Sequence, residues 1–357
     1  MAEKNQSKYN THKNQDITIE DVAERAGVSP ATVSRVTNNT VPVRQEKREK
    51  VMQAVKELGY SPNRFARSLR KQKSGIIGII VPDISNPYFS TLIRGIEKGA
   101  RGLGFSATIY DTNDESTLET EYAELLVKER VDGVLFVGTG GESAAIDTLV
   151  ENEIPVVALD RKPTGTHPVS SVVAANKIGA RNAVKHLFDV GCQDVGFIKG
   201  PEGVSTAEER YQGYVEAISR NKNTILRDEL IVAGNYTFES GRKAIRKLKQ
   251  KVGKDNFPRG IIGANDLMAA GAIRELQHLN LQVPEDVAIA GFDDIFFAKL
   301  FNPPLTTIKV PATRIGETGV EILNEKIKSE KNNQDHVKTL MFETELVVRQ
   351  SSNLGGN

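Results

Sequence analysis

The sequence predicts an N-terminal all-α helix-turn-helix head with a hinge helix, followed by a two-lobed α/β body with mainly parallel sheets. Residues 1–74 carry 15 lysines and arginines against 8 acidic residues, whereas the remainder carries 32 against 38. Short helical patterns with turn signals fill the basic segment. Beyond it, apolar runs alternate with helical patterns, which is typical of βαβ units. A chain of 357 residues is also too long for one compact core.

Composition favours a soluble globular protein, with 39% hydrophobic and 26% charged residues. No apolar run approaches the roughly 20 residues that a membrane helix needs. Residues 1–16 lack the apolar core of a signal peptide, so we expect a cytoplasmic, nucleoid-associated protein without membrane contact. The single cysteine, Cys192, fits a reducing compartment, and the five histidines are scattered. We therefore expect no metal, no cofactor and no enzymatic activity.

The first helix of the basic head is predicted by apolar spacing and by signals at both ends. Thr18 has a hydroxyl suited to capping the helix, and Gly27 ends it. Between them, apolar side chains recur at helical spacing at Ile19, Val22, Ala23 and Ala26.

The second helix is predicted to begin after Ser29 as N-cap, with Pro30 at its first position, and to run to Asn38. Two short helices separated by a tight turn form a helix-turn-helix, whose second helix enters the major groove of DNA. A third helix from Gln45 to Leu58 is expected to hold the pair through an inner face that contains Val51, Val55 and Leu58.

Two runs of the head carry a family resemblance: TIEDVAERAGVSPATVSRV at residues 18–36 and LGYSPN at residues 58–63. They resemble the head of the lactose-repressor/galactose-repressor family, and the similarity extends from Thr18 to Arg349. The resemblance implies a periplasmic-binding-protein-like body at residues 74–350. It also implies a sequence-specific repressor of sugar-metabolism genes, controlled by a small sugar-like effector bound between two lobes.

The resemblance places the DNA contacts of the head on and around its second helix. Arg35 has the geometry to read a guanine through two hydrogen bonds, whereas hydroxyl and amide side chains mostly contact phosphates. The alternative is a structural three-helix unit with no role in DNA binding. The implied contacts are Thr18, Ser29, Pro30, Ala31, Thr32, Ser34, Arg35 and Asn38.

Residues 61–73 are expected to form a hinge helix and linker. The basic run from Asn63 to Arg70 is too short to be a stable helix in isolation. In the family that the chain resembles, paired hinge helices enter the minor groove and a leucine wedges into the central base step. Asn63, Ala66 and Leu69 match those contacts. The alternative is an ordinary charged linker.

The body contains too many candidate strands for one small sheet. The first four are expected to form one lobe and the later ones a second, with the chain crossing between lobes near residues 160–176 and again near residues 293–309. The candidate strands are Ile76 to Val81, Ala107 to Tyr110, Val134 to Val137, Val156 to Leu159, Val195 to Ile198, Ile261 to Ala264 and Val287 to Gly291.

Polar and aromatic side chains follow these strands, at the sheet edge where ligands of open α/β sheets bind. Carboxylates, amides and guanidinium groups satisfy sugar hydroxyls, and aromatic rings cover apolar ring faces. Any single one of these residues could instead cap a helix or form a turn. The expected effector residues are Asn86, Phe89, Asp160, Arg161, Ser205, Arg210, Tyr236, Asn265, Phe292 and Asp293.

The run Asn86-Pro87-Tyr88-Phe89 with Leu159-Asp160-Arg161 resembles ribose repressors and ribose-binding transport proteins, so ribose is the first expectation for the effector. Val310 stands where many relatives have a glutamine that bonds a sugar hydroxyl. A purine or another sugar therefore remains an alternative.

Parts of the sequence are also compatible with two other functions. The run Gly138-Thr139-Gly140 with Asp160 about 20 residues later is weakly similar to a dinucleotide-binding fingerprint. Ser143 occupies the position where that fingerprint needs a small glycine or alanine, and the run follows a third strand rather than a first. An exported sugar-binding protein shares the two-lobed body, but it needs a signal peptide and no DNA-binding head.

These observations predict five segments: a disordered tail at 1–16, the DNA-binding head at 17–60, the hinge at 61–73, the effector-binding and dimerisation body at 74–350, and a polar tail at 351–357. A homodimer is expected because a two-fold symmetric protein matches the half-sites of palindromic operator DNA. The expected mechanism is allosteric, with effector binding changing lobe closure and the separation of the two hinges.

Overall fold

The computed structural model describes residues 17–38, 41–60, 74–141, 143–163, 165–329 and 337–354. The chain divides into two compact units, Met1–Ser74 and Gly75–Asn357. We call them the head and the body. The predicted tail at 1–16 and the predicted hinge at 61–73 lie outside the described residues.

The head contains the three predicted helices: α1 (Ile19–Ala26), α2 (Pro30–Asn38) and α3 (Gln45–Leu58). Thr18 and Asp21 cap α1 reciprocally, because the Thr18 hydroxyl accepts the Asp21 N–H at 3.3 Å and the Asp21 carboxylate accepts the Thr18 N–H at 2.7 Å. Gly27 ends α1 in a left-handed conformation with φ of +65°. The predicted end signals of α1 are therefore confirmed.

A small apolar core joins the three head helices. Val55 and Leu58 of α3 pack against it while partly buried. An ion pair between Arg25 Nη2 and Glu57 Oε2, 2.6 Å apart, links α1 and α3 at the surface. The fully buried members of this core are Val22, Ala23, Ala26, Val33, Val36, Val51 and Ala54.

The first lobe of the body is a six-stranded parallel sheet in the order β11-β5-β4-β3-β1-β2. Its strands are β1 (Ile76–Val81), β2 (Ser106–Asp111), β3 (Gly133–Phe136), β4 (Val156–Asp160), β5 (Ser170–Ala174) and β11 (Thr339–Phe342). Its helices are α4 (Pro87–Gly102), α5 (Ser116–Glu129), α6 (Ala144–Glu151) and α11 (Ala312–Lys328).

The second lobe is a six-stranded sheet in the order β12-β10-β9-β8-β6-β7, parallel except for the β10–β12 pair. Its strands are β6 (Val195–Lys199), β7 (Ile231–Ala233), β8 (Gly260–Gly263), β9 (Ala288–Asp293), β10 (Thr306–Lys309) and β12 (Glu345–Val347). Its helices are α7 (Asn176–Asp189), α8 (Ser205–Arg220), α9 (Phe238–Val252) and α10 (Asp266–His278). Two 3-10 turns, Asp228–Leu230 and Phe296–Leu300, precede β7 and β10.

The seven predicted strands are all present, with ends shifted by two residues at most. The predicted second crossing at residues 293–309 is wrong, because β10 pairs with β9 inside the second sheet. The chain crosses after β5, within the range predicted for the first crossing, and then again between β10 and α11 and between β11 and β12. Three segments therefore join the lobes, and the late elements α11 and β11 belong to the first lobe.

The end of the body also differs from the expectation. Residues 350–352 form a 3-10 turn in which Ser351 and Ser352 are fully buried. The Ser351 hydroxyl accepts the Thr306 N–H at 2.8 Å and donates to the Ile289 carbonyl at 2.7 Å. The polar tail expected from residue 351 therefore does not begin there. Among the described residues, no helix is long and apolar enough to cross a membrane.

Candidate nucleic-acid interface and ligand cavity

The outer face of α2 exposes the side chains expected to reach bases. Pro30, Ala31 and Arg35 are exposed, whereas Val33 and Val36 point into the head core. Arg35 makes no ion pair with any residue that the structure describes. Its guanidinium is therefore available to an external acceptor, unlike that of Arg25, which is paired with Glu57.

The hydroxyl groups around α2 already have local partners. Ser29 Oγ accepts the Thr32 N–H at 3.3 Å and lies 3.0 Å from Thr32 Oγ1, as expected of an N-cap. Thr32 and Ser34 are half-buried, and Thr18 caps α1. The side chain of Asn38 and the expected hinge contacts Asn63, Ala66 and Leu69 lie outside the described residues.

A polar cavity that is partly open to solvent lies where the strands of the two lobes end. Asp160 and Asp293 are the last residues of β4 and β9, so their side chains face it from opposite lobes. Eight of the ten expected effector residues line the cavity. The lining is Asn86, Tyr88, Phe89, Asp160, Arg161, Thr206, Arg210, Tyr236, Asn265 and Asp293.

The two asparagines of the cavity are helix caps as well as lining residues. Asn86 Oδ1 accepts the Tyr88 N–H at 3.1 Å at the start of α4. Asn265 Oδ1 accepts the Met268 N–H at 2.9 Å at the start of α10, and its amide donates to the Tyr236 carbonyl at 2.9 Å. Capping fixes both side chains at the cavity wall. Each asparagine is therefore both a helix cap and a candidate effector residue.

Arg210 is the most extensively bonded side chain of the cavity. Its Nε donates to Asn176 Oδ1 at 3.0 Å and its Nη1 donates to the Ala264 carbonyl at 2.6 Å. Its Nη2 lies 3.0 Å from Asp293 Oδ1, and its guanidinium carbon lies 3.9 Å from the centre of the Phe292 ring. The guanidinium is thus held rigidly, because each of its three nitrogens has a polar partner and one of its faces lies on an aromatic ring.

The cavity carboxylates have different environments. Asp160 accepts a hydrogen bond from the hydroxyl of Tyr88. Burial raises the pKa of Asp293 to about 7, and the nearby charge of Asp160 adds to this shift while Arg210 opposes it. Asp293 therefore changes its charge within the range of pH in which a cell operates.

Arg161 occupies the space between two aromatic rings. Its guanidinium carbon lies 5.5 Å from the ring centre of Phe89 and 5.9 Å from that of Tyr236. Its Nη1 donates to the Gly138 carbonyl at 2.7 Å. The arginine thus covers the two rings that a planar ligand would need for stacking.

Two polar atoms of this cavity lack a hydrogen-bond partner in the part of the chain that the structure describes. Among the described residues, Arg161 Nε and Asp293 Oδ1 are the buried side-chain nitrogen and oxygen atoms without a hydrogen bond. Arg210 lies close enough to Asp293 for an ion pair, but its geometry is not that of a hydrogen bond to Oδ1. One unsatisfied donor and one unsatisfied acceptor thus remain, and leaving such groups unpaired is costly.

Left-handed backbone conformations cluster at the cavity. Asp160, Tyr236 and Asp293 have φ values of +62°, +66° and +112°, and Asp294 follows with +55°. Such conformations are unfavourable for residues other than glycine and persist where the surrounding structure imposes them. The strain is therefore located where the side chains converge.

Two expected effector residues do not line this cavity. Ser205 begins α8, where its Oγ accepts the Lys162 N–H at 2.8 Å, and the next residue, Thr206, faces the cavity instead. Phe292 is fully buried beneath Arg210, because side chains alternate along β9 and Asp293 takes the opposite face. Tyr88 was missed, although it stands next to the expected Phe89.

The run Gly138-Thr139-Gly140 takes part in the contact between lobes. The Gly141 N–H donates to the Gly203 carbonyl at 3.1 Å, and a Cβ on Gly140 would lie 2.9 Å from Val204. The glycines therefore allow the backbones of the two lobes to approach closely. Among the described residues, no group of three or more side chains is arranged to hold a metal ion.

Comparisons with known proteins agree with this architecture. Residues 18–63 match the pattern of bacterial regulatory proteins of the lacI family, and residues 184–352 match a periplasmic binding protein-like domain. The chain is 36% identical over 342 residues to the ribose operon repressor of Halalkalibacterium halodurans, which covers 95% of this chain and 98% of that repressor. The chain belongs to the lacI family of bacterial regulatory proteins.

Other relatives support this assignment. The repressor PurR of Aliivibrio salmonicida is 34% identical over 94% of this lacI-family chain and 98% of its own. The structure of the Lac repressor dimer bound to operator and the anti-inducer ONPF aligns with a TM-score of 0.83 at 28% identity, over 95% of this chain and 99% of that one. A complex of the regulator CelR with cellobiose aligns with a TM-score of 0.71 at 29% identity, over 94% and 99%.

The predicted family and fold class are confirmed by these comparisons. The predicted class of function, a DNA-binding transcription regulator with a small-molecule effector, is that of the family. The relatives named here are repressors or regulators.

Proposed function

We propose that this lacI-family chain is a homodimeric, cytoplasmic repressor of sugar-metabolism genes whose effector is a monosaccharide, with ribose as the first candidate. Residues 17–60 bind operator DNA, residues 61–73 form the hinge, and the body from residue 74 onward binds the effector and dimerises. No catalytic step is assigned to it. The observation that carries the sugar assignment is that the donor Arg161 Nε and the acceptor Asp293 Oδ1, both in one cavity, have no hydrogen-bond partner among the described residues.

A sugar hydroxyl both donates and accepts hydrogen bonds, so a polyhydroxyl ligand satisfies both unpaired atoms at once. The cavity also balances two carboxylates against two guanidinium groups, which suits a neutral ligand. The lining side chains leave little free space between them, which favours a ligand no larger than a single sugar ring.

A purine is the second candidate, because PurR repressors are 33–34% identical to this chain. A purine ring needs an aromatic face on which to stack. The rings of Phe89 and Tyr236 are instead covered by Arg161, which would have to move away before a base could enter. A sugar can be bound through hydrogen bonds to its hydroxyl groups without a free stacking face, so the geometry favours the sugar.

A thermal-shift screen of D-ribose, other monosaccharides and the purine bases tests this assignment. A ligand at about 100 times its dissociation constant stabilises the native state by roughly 2.7 kcal/mol. We expect D-ribose or a closely related monosaccharide to raise the melting temperature and the purine bases to leave it unchanged. A shift with a purine base and none with any sugar would reverse the assignment.

The proposed route from effector to DNA begins at polar contacts between the lobes beside the cavity. Lys162 of the first lobe donates its N–H to Ser205, and its Nζ lies 2.6 Å from Glu209 Oε1 on α8. Glu209 in turn accepts from Asn176, the partner of Arg210. A ligand that displaces Arg210 therefore alters contacts that set how the lobes close.

The proposed dimer is supported by an exposed apolar cluster on the second lobe. Phe296, Phe297 and Leu300 of one 3-10 turn are 62%, 48% and 62% exposed. Large apolar side chains grouped at a surface mark interaction sites, and the Lac repressor structure similar to this chain is a dimer. A second copy of the chain is the proposed partner of this cluster.

Arg35 provides a test of operator reading by α2. We expect Arg35→Ala to weaken binding to the preferred operator by about 1–3 kcal/mol and to flatten discrimination at one base pair in each half-site. The measurement is fluorescence anisotropy on an operator selected from random DNA and on every single-base variant of it. A uniform loss on all variants would show that Arg35 contacts phosphate alone.

A further inference from the structure

Asp266 is a buried carboxylate directly behind the ligand cavity. It is the first residue of α10, next to the cavity residue Asn265, and it is fully inaccessible to solvent. It does not line the cavity, and it makes no ion pair with any residue that the structure describes. A charged group is costly to bury without a cation, so its position calls for another explanation.

The partners of Asp266 come from the segment that carries Asp293. Its Oδ2 accepts the Ile295 N–H at 2.8 Å, and its Oδ1 accepts the hydroxyl proton of Thr307 on β10. Thr307 Oγ1 lies 3.4 Å from the Asp294 nitrogen, which donates to it. One carboxylate and one hydroxyl thus hold the two residues that follow β9, Asp294 and Ile295.

This segment needs to be held because its backbone is unfavourable. Asp293 and Asp294 are consecutive non-glycine residues with φ of +112° and +55°. Such conformations persist only where the surroundings impose them. Gly291 completes the arrangement, because a Cβ there would lie 2.3 Å from Asp266 Oδ1.

We propose that Asp266, acting with Thr307, is a positioning residue that holds the Asp293–Ile295 turn so that the carboxylate of Asp293 faces the effector. This inference rests on the proposed function in one respect, namely that Asp293 binds the ligand. The geometric part, that Asp266 and Thr307 determine the conformation of the turn, stands without any ligand.

The electrostatics of Asp266 agree with a role in positioning rather than in stability. Burial raises the pKa of Asp266 well above its ordinary value, and the charge of Asp293 adds to the shift. Keeping a carboxylate at this position therefore costs stability. The hydrogen bonds that Asp266 accepts from Ile295 of the turn and from Thr307 on β10 offset this cost by fixing the turn.

The first test uses crystal structures of ligand-free variants. Asp266→Ala removes both acceptors, and Thr307→Val removes the hydroxyl while keeping the shape of the side chain. We expect both variants to move the Asp293–Ile295 turn and to lengthen the 3.0 Å distance from Arg210 Nη2 to Asp293 Oδ1. Thr307→Ser, which keeps the hydroxyl, should retain the turn. An unchanged turn in Thr307→Val and in Asp266→Ala would overturn the proposal.

The second test is calorimetric titration of the full-length protein with D-ribose. We expect Asp266→Ala and Thr307→Val to bind about tenfold more weakly than the wild type, and Thr307→Ser to bind within about threefold. Glu275→Ala is the matched control, because Glu275 is a buried carboxylate on the same helix that pairs with Arg242 and Arg246 away from the cavity. It should lose stability and keep its affinity.

The outcomes separate this inference from the proposed function. A displaced turn with unchanged affinity would overturn the role of Asp266 in binding. Equal losses of affinity in Asp266→Ala and Glu275→Ala would reduce that role to general stability and overturn it as well. If the wild type does not bind D-ribose, the ribose assignment fails, and the crystal structures alone decide whether Asp266 holds the turn.

Discussion

Asp293→Asn is expected to weaken effector binding by about 1.5–3 kcal/mol, because a charged acceptor of a ligand hydroxyl is lost from a buried site. The same change should relieve the cost of burying a carboxylate. The variant is therefore expected to lose its response to effector without losing its fold. Calorimetric titration with the ligand identified by thermal shift measures the first effect, and urea unfolding measures the second.

The gain in stability expected for Asp293→Asn depends on pH in a defined direction. The pKa of Asp293 is raised by burial to about 7, so between pH 4 and 7 the native state holds a proton that the unfolded chain has released. The free energy of unfolding contributed by this group therefore falls as pH rises through that window.

Asn imitates the protonated form at every pH. The stability of Asp293→Asn relative to the wild type should therefore rise by roughly 2–4 kcal/mol between pH 4 and pH 8. Asp255→Asn, a change at an exposed residue, is the control and should show no such rise. Parallel pH profiles for the wild type and Asp293→Asn would mean that Asp293 titrates normally, and the electrostatic description of the cavity would be wrong.

Arg210→Met is expected to destabilise the body by about 3–5 kcal/mol, the range found when one partner of a buried ion pair is removed. The variant leaves Asn176 Oδ1 and the Ala264 carbonyl without their hydrogen-bond donor and leaves Asp293 without its paired cation. Effector binding should be lost along with stability. The measurement is urea unfolding at pH 8, where Asp293 is mainly ionised.

Arg181→Met is the matched control for Arg210→Met. Arg181 also pairs with a carboxylate, Glu216 at 3.1 Å, but on the outside of the second lobe. Pairs that are partly exposed contribute about 0–1 kcal/mol, so this variant should be nearly as stable as the wild type. Similar losses in both variants would show that the cavity arginine has no special structural role.

The local features of the head could be predicted from sequence because each has its own chemical signal. Thr18 and Gly27 mark the ends of α1, and Ser29 with Pro30 marks the start of α2, independently of distant residues. The strands at the centre of both sheets were also predictable, since their apolar runs are buried on both faces.

The strands that sequence reasoning missed are short or lie near sheet edges. β7, β11 and β12 have three or four residues each, and their burial depends on neighbours distant in sequence. The path of the chain between lobes could not be predicted for the same reason. Whether β10 joins β9 or crosses to the other lobe is determined by tertiary packing.

Most of the residues that line the cavity could be predicted, whereas the direction of individual side chains could not. Residues that directly follow a strand, such as Asp160 and Asn265, were identified because strand ends converge. Phe292 and Ser205 each stand next to a residue that does line the cavity. One residue reverses the face of a side chain on a strand, as at Phe292, and turns it by about 100° on a helix, as at Ser205. The role of Asp266 leaves no signal in the sequence, because its partners Ile295 and Thr307 approach it only in the fold.

The coupling between the cavity and DNA is the central claim, and one measurement tests it directly. Operator affinity of the full-length protein is determined by anisotropy with and without saturating effector, for the wild type and for Asp293→Asn. Effector affinity is determined with and without operator. We expect the effector to change operator affinity of the wild type by about 5- to 150-fold, the operator to change effector affinity by the same factor, and Asp293→Asn to abolish both changes. Equal operator affinity of the wild type with and without a bound effector would contradict the account.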